Sequence, residues 1–131
     1  MTFPARHISV SINRSPADVY DFVFNPENLP LWAAGLSGSI QKDGDDWIAD
    51  SPMGRVKVKF AEKNTFGILD HVVTLPSGTD VFNPTRVFPN NDGSEVVFTV
   101  YQLPELDEQK LLEDIRMVED DLQTLKQILE A

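Results

Sequence analysis

Residues 7–13, HISVSIN, alternate strictly, with Ile8, Val10 and Ile12 on one side and polar residues on the other. A period of two describes a half-buried β-strand. The pattern then changes at Ser15-Pro16-Ala17-Asp18, which reads as a helix start. Ser15 can cap the first free N–H groups, Pro16 suits the first helical position, and Asp18 favours the positive end of the helix dipole. The helix carries Val19, Tyr20, Phe22 and Val23 and is predicted to stop near Asn25, because Pro26 disfavours helix in the residue before it. The next stretch, NPENLPLWAAGL, is too apolar for a surface loop and too broken by Pro26, Pro30 and Gly35 for a long helix. A second short helix or turn over 27–34 is predicted.

Strand-like runs follow at 37–42, 47–50, 55–63, 67–75, 80–88 and 95–103. Between them lie Asp43-Gly44-Asp45, Pro76-Ser77-Gly78 and Asn90-Asn91-Asp92-Gly93, so a meandering antiparallel sheet is predicted. Pro84, inside one run, marks a bulge or an edge position. From about 105 to 130 the period becomes helical: Leu111, Ile115, Val118, Leu122, Leu125 and Leu129 define one face, and Leu112, Met117 and Ile128 widen it. Glu105, Asp107 and Glu108 sit at its N-terminal end, where negative charge is favoured. Only a broad apolar surface can cover such a helix, and the sheet is the available candidate. The order predicts an α+β fold in which a curved antiparallel sheet of about seven strands wraps a long C-terminal helix, with two short helices after the first strand.

The chain has 131 residues, read as a single domain over 1–131. At 41% hydrophobic and 24% charged it is ordinary for a folded protein, and its size allows one core or one internal cavity. No apolar run approaches the ~18 residues that span a bilayer, and MTFPARH has no signal-peptide core, so a cytoplasmic protein without stable membrane insertion is expected. The absence of cysteine excludes disulfides, thiolate zinc sites and cysteine nucleophiles; His7 and His71 are too few for a histidine-rich metal centre, and no metal or cofactor is expected. A net charge of −10 argues against nucleic acid as a partner. The one basic cluster is Arg55, Lys57, Lys59 and Lys63, and its first three members alternate with Val56, Val58 and Phe60 as the wet face of a strand. The acidic runs Asp43/Asp45/Asp46 and Glu119/Asp120/Asp121 lack calcium-loop spacing and read as solvated charge. Gly35-Leu36-Ser37-Gly38-Ser39 is not a nucleophile elbow, and no phosphate-cradling or dinucleotide glycine motif occurs.

The element order, together with SPADVYDFVFNPENLPLW near the start, resembles the START-related SRPBCC superfamily, the helix-grip fold that includes polyketide cyclase/dehydrase-like proteins. Downstream, LDHVVTLPSGTDVFNPTRV and GSEVVFTVYQ are similar to a small bacterial subgroup of it. The resemblance spans nearly the whole chain. It implies a hydrophobic cavity between the long helix and the sheet, plugged at one end by Leu29, Leu31 and Trp32, with Trp32 mostly buried. Members variously bind lipids, carry hydrophobic ligands, or cyclise and dehydrate polyketides, and the fold does not choose among these. The expected partner is a small hydrophobic or aromatic molecule, held by a carrier or sequestering protein. A cyclase or dehydratase using the same cavity is one alternative. A protein-interaction domain with a filled core, including a homodimer, is another.

Candidate chemistry centres on His71. Adjacent strand residues point to opposite faces, so Asp70 and His71 do not form a dyad. If Ser77 and Gly78 make a two-residue hairpin loop, Leu69 pairs with Arg86, and His71 shares a face with Leu69, Val73, Phe82 and Arg86. His71 and Arg86 could then orient a ligand's carbonyl, phenol or carboxylate, or act catalytically, His71 moving a proton and Arg86 polarising a carbonyl. A loop one residue different exchanges the faces and brings Asp70 beside Arg86 instead. Tyr20, Trp32, Trp47, Phe60, Phe82, Phe98 and Tyr101 form an aromatic set that fits a cavity wall, although each also suits a core; Met53 and Met117 are flexible enough to adapt to varied ligands, and Met117 joins the candidate lining.

Overall fold

The structure, a computed structural model, describes residues 1–36 and 39–131. Strand β1 (Ala5–Ile12) follows the alternation that predicted it, sealing Val10 and Ile12 and exposing Ser9 and Ser11. Helix α1 (Pro16–Phe24) begins at Ser15, whose Oγ accepts from the Asp18 N–H at 3.2 Å. Asn25 ends it in extended conformation and caps the next turn, accepting from the Glu27 N–H at 3.1 Å. A 3-10 turn (Pro26–Asn28), a single-turn helix α2 (Leu29–Trp32) and a second 3-10 turn (Ala34–Leu36) occupy the proline-broken stretch. Then come β2 (Ile40–Asp43), β3 (Asp46–Ser51), β4 (Gly54–Phe60), β5 (His71–Thr74), β6 (Asp80–Asn83), β7 (Thr85–Asn90), β8 (Gly93–Tyr101) and α3 (Glu108–Glu130). Ser37 and Gly38, which open the run 37–42, lie outside the described residues.

The α+β class and the long C-terminal helix are as expected, but the single curved sheet of about seven strands is not. Among the described residues, eight strands form two antiparallel sheets, one of order β1-β8-β7 and one of order β2-β3-β4-β5-β6. Pro84 is the reason. It has no N–H to donate, so the predicted strand over 80–88 divides there, β6 pairing with β5 and β7 pairing with β8. The two sheets meet through residues 67–69, where Ile68 bridges Arg86, Leu69 N donates to Thr85 O and Val87 N donates to Gly67 O.

The core gathers Val10, Ile12, Val19, Val23 and Val96 against Leu122, Leu125 and Leu129 of α3. Along α3, Leu111, Leu122, Leu125 and Leu129 are sealed, Ile115, Val118 and Ile128 are half-buried, and Leu112 and Met117, expected to widen the face, stand exposed. The C-terminal end is pinned by residues just after β1: Arg14 Nη1 donates to Leu129 O at 2.8 Å and Asn13 N donates to Glu130 Oε2 at 2.8 Å. Ser94 Oγ, itself buried, donates to Arg14 O at 2.7 Å and completes the clasp.

Candidate functional site

His71 opens β5 and is paired with Phe60 of β4 on one side and Asn83 of β6 on the other. Its ring is 9% exposed and lies on the inner face, 5.0 Å from the Phe60 ring and 5.6 Å from the Phe98 ring of β8. The row continues from Phe60 to Phe24 at 6.3 Å and from Phe24 to Tyr20 at 5.4 Å, the last pair stacked. An aromatic wall therefore runs from α1 across the five-stranded sheet to β8. Phe24 is the member that sequence reasoning did not nominate, because it closes α1 just before the Asn-Pro stop.

His71 Nδ1 lies 3.1 Å from Leu69 O. A carbonyl only accepts, so Nδ1 carries the proton and Nε2 presents a lone pair; Nε2 has no protein partner among the described residues. Burial lowers the imidazole's pKa, against smaller raising effects from the Leu69 carbonyl and the Asp70 charge, so the ring is neutral at neutral pH. The result is one polar acceptor set between phenyl rings.

Arg86 and Phe82 are not on this face. Leu75 and Thr79 extend the β5–β6 pairing, Leu75 N donating to Thr79 O at 2.9 Å, and leave three residues, Pro76 to Gly78, at the tip, so Val72 rather than His71 shares a face with Phe82. The alternative register is the one adopted. Asp70 accepts from Arg86 Nε at 3.0 Å and Nη2 at 2.9 Å, and from Thr85 N at 2.9 Å, on the outer surface. The Arg86 hydrogen bonds hold the Asp70 carboxyl below the ordinary carboxylate range, and Asp70 in turn raises Arg86. Asp70 and His71 point apart, as adjacent strand residues do.

Of the other candidates, Tyr20 is buried and its hydroxyl accepts from Asn64 N at 2.9 Å. Trp47 shares the inner face with Val58 and is half-buried; Phe60 and Phe98 are half-buried too. Tyr101 packs on Phe3, at 6.5 Å, away from the aromatic wall, and Met117 is exposed beside Gly35. Met53 is exposed in the turn between β3 and β4. The basic positions Arg55, Lys57 and Lys59 are exposed while Val56 and Val58 are sealed, and Lys57 pairs with Asp46 at 3.4 Å. Asn64 is a residue the pattern does not flag. Its Oδ1 accepts from Phe66 N and Ile68 N and its Nδ2 donates to Glu62 O and Ile68 O, which shapes the loop ahead of His71.

The three residues expected to form a plug differ in burial. Leu29 and Trp32 are buried, but Leu31 is exposed. Trp32 Nε1 is sealed without a hydrogen-bond partner among the described residues. The following turn is tied to α3, where Asp121 Oδ1 accepts from Ala34 N at 3.1 Å. Burial pushes the Asp121 carboxyl up to about 6, with Asp120 adding to the rise and the Ala34 N–H opposing it. The folded state thus binds this proton more tightly than the unfolded chain, so ionised Asp121 destabilises the fold at neutral pH and the penalty fades as pH falls through about 6 toward 4. His71 has the opposite slope: its folded pKa is depressed, so its contribution is lost as pH falls below 6.5. Replacing Asp121 by Asn, which can still accept the Ala34 N–H, is expected to raise Tm at about pH 7.5 and leave it unchanged at about pH 4. Equal gains at both pH values would show that the charge is not the cause.

Two shallow concavities lie on the described surface. One, of about 210 Å³, is a groove between β1 and α3; the other, of about 400 Å³, is an open depression along α3 beside Gln109, Leu112, Glu113 and Arg116. Neither is lined by Trp47, Phe60, Val73 or Phe98, which are half-buried, the last three packed against the core.

No protein-family model matches the sequence, and no curated protein matches it. Solved structures do share the fold. XoxI from Bacillus cereus superposes with a TM-score of 0.75 at 16% identity, over 95% of this chain and 94% of its own. The Aha1 dimer from Colwellia psychrerythraea gives 0.75 at 16%, over 97% and 96%. DynU16, a protein of the dynemicin biosynthetic locus, gives 0.74 at 13%, over 97% of this chain and 47% of DynU16. At these identities the likeness establishes a common fold. No helix among the described residues is long and apolar enough to cross a membrane.

Proposed function

We propose that this chain is a helix-grip protein of the SRPBCC type that binds a small, largely apolar ligand against the inner wall formed by Phe24, Phe60, His71 and Phe98. The observation that carries this reading is the state of His71: a buried neutral ring between phenyl groups, Nδ1 committed to Leu69 O and Nε2 unpartnered among the described residues. Binding sites for apolar ligands are built this way, with few polar groups fixing orientation. The tautomer restricts the ligand. A lone-pair acceptor selects a hydroxyl donor such as a phenol, and Arg86, paired with Asp70 on the outer surface, offers no guanidinium to a carboxylate.

The test uses 2-naphthol and its methyl ether. The phenol is expected to shift the ring signals of Phe60, His71 and Phe98, and the ether to bind roughly tenfold more weakly, the loss of about one hydrogen bond to a buried acceptor. His71→Leu should bring the two compounds to equal affinity. If neither compound perturbs these rings, the site reading fails; if the wild-type chain binds both equally, only the hydroxyl preference fails.

An enzymatic use of the same surface is a second proposal, supported by the fold shared with a biosynthetic-locus protein. In it His71, neutral at neutral pH, takes the proton, and Arg86 has no part. Self-association is a third, supported by the dimeric Aha1 neighbour and by exposed Phe66, Phe82 and Phe88. Sedimentation velocity decides it.

A further inference from the structure

We propose that the open edge of β1, at His7 and Ser9, is a docking site for an extended basic segment of a partner protein. In an antiparallel pair each residue turns both its N–H and its C=O either toward the partner strand or away from it. Pro4 O accepts from Gln102 N at 2.9 Å, which sets Pro4, and by alternation Arg6, Ile8 and Val10, toward β8. Two contacts confirm the opposite parity for the intervening residues. Ser11 O accepts from Lys126 Nζ and Asn13 N donates to Glu130 Oε2, both on the side away from β8. The same alternation turns the N–H and C=O of His7 and Ser9 to that open side.

Helix α3 therefore treats the edge unequally. Lys126 and Glu130 cap it at Ser11 and Asn13, but the four backbone groups of His7 and Ser9 have no partner among the described residues. Beside them lies the groove of about 210 Å³, walled on the strand side by Ile8, Ser9 and Val10 and on the helix side by Glu119, Asp120 and Gln123. Unpaired strand edges recruit extended chains through main-chain hydrogen bonds, with flanking side chains setting the preference. Here Glu119 and Asp120 are exposed and unpaired among the described residues, and the chain carries a net charge of −10. That field draws in lysine- or arginine-bearing segments and opposes a second copy of this chain, which would bring the same charge.

The experiment is an amide-shift titration of the full chain with two decapeptides, one alternating Lys and Val, the other Glu and Val. The lysine peptide is expected to move the His7 and Ser9 amides and slow their hydrogen exchange, and the glutamate peptide to leave them alone. Ser9→Pro removes an outward N–H that the β8 ladder does not use, so the fold persists while binding falls at least about tenfold. The double variant Glu119→Gln, Asp120→Asn, which leaves the backbone untouched, should weaken binding roughly threefold and flatten its salt dependence. Equal behaviour of the two peptides, binding that survives Ser9→Pro, or a wild-type dimer that Ser9→Pro converts to monomer would each overturn the proposal, the last by giving the edge to a second copy.

Discussion

Replacing Gly67 with Ala is expected to destabilise the fold by at least about 3 kcal/mol, lowering Tm by roughly 10 °C. Two effects add. Gly67 has φ +73°, where a Cβ meets the carbonyl oxygen and costs about 1–2 kcal/mol. The new Cβ would also lie 2.0 Å from Val87 O, which is backbone and cannot rotate aside. Relief requires 67–69 to move away from β7, and those residues are the seam between the two sheets. Gly78 is the control: φ is +90° but nothing lies within 4 Å, so Gly78→Ala should cost only the conformational part. If the two variants melt together, the close approach at Val87 has no energetic weight.

Leu125→Ala is the second large effect, expected at about 3–4 kcal/mol, the range for a buried leucine whose surroundings relax only partly. Leu125 is fully buried within the cluster that joins α3 to β1 and α1. Leu112→Ala, on the exposed side of the same helix, should change stability by less than about 0.5 kcal/mol. Urea unfolding of both gives the answer, and a large loss at Leu112 would mean that this side of α3 is covered in solution.

That contrast also shows where the sequence was legible. The i, i+3, i+4 spacing of Leu122, Leu125 and Leu129 marked the sealed face of α3, and the HISVSIN alternation marked the inner face of β1. Periodicity reports which residues lie together, though, and not how far the covering surface extends. Leu111 is sealed, but Leu112 and Met117 widen the apolar stripe onto a flank that the protein leaves exposed. The division at Pro84 was visible as a missing donor, yet whether a missing donor makes a bulge or passes a strand to another sheet depends on a partner far along the chain. The His71 site turned on one residue of loop length. Pro-Ser-Gly admits either a two- or a three-residue connection, and because side chains alternate, that choice decided whether His71 met Arg86 or Phe98. His71 itself was recognisable as a histidine inside a strand run; its commitment to Leu69 O was not, since that bond depends on the turn shaped by Asn64.

The clasp of Arg14 and Asn13 on the end of α3 bears on how the chain reaches this state at all. Asn13 meets Glu130 across 117 positions, and His7 meets Thr99 across 92. Strand β1 therefore has no ladder partner until β8, some ninety residues further on, has left the ribosome. Closing such loops before any contact rewards them makes for slow, high-contact-order folding. In the meantime Ile8, Val10 and Ile12 travel as an unpaired apolar strand, the kind of segment that chaperones hold and that aggregates when they do not.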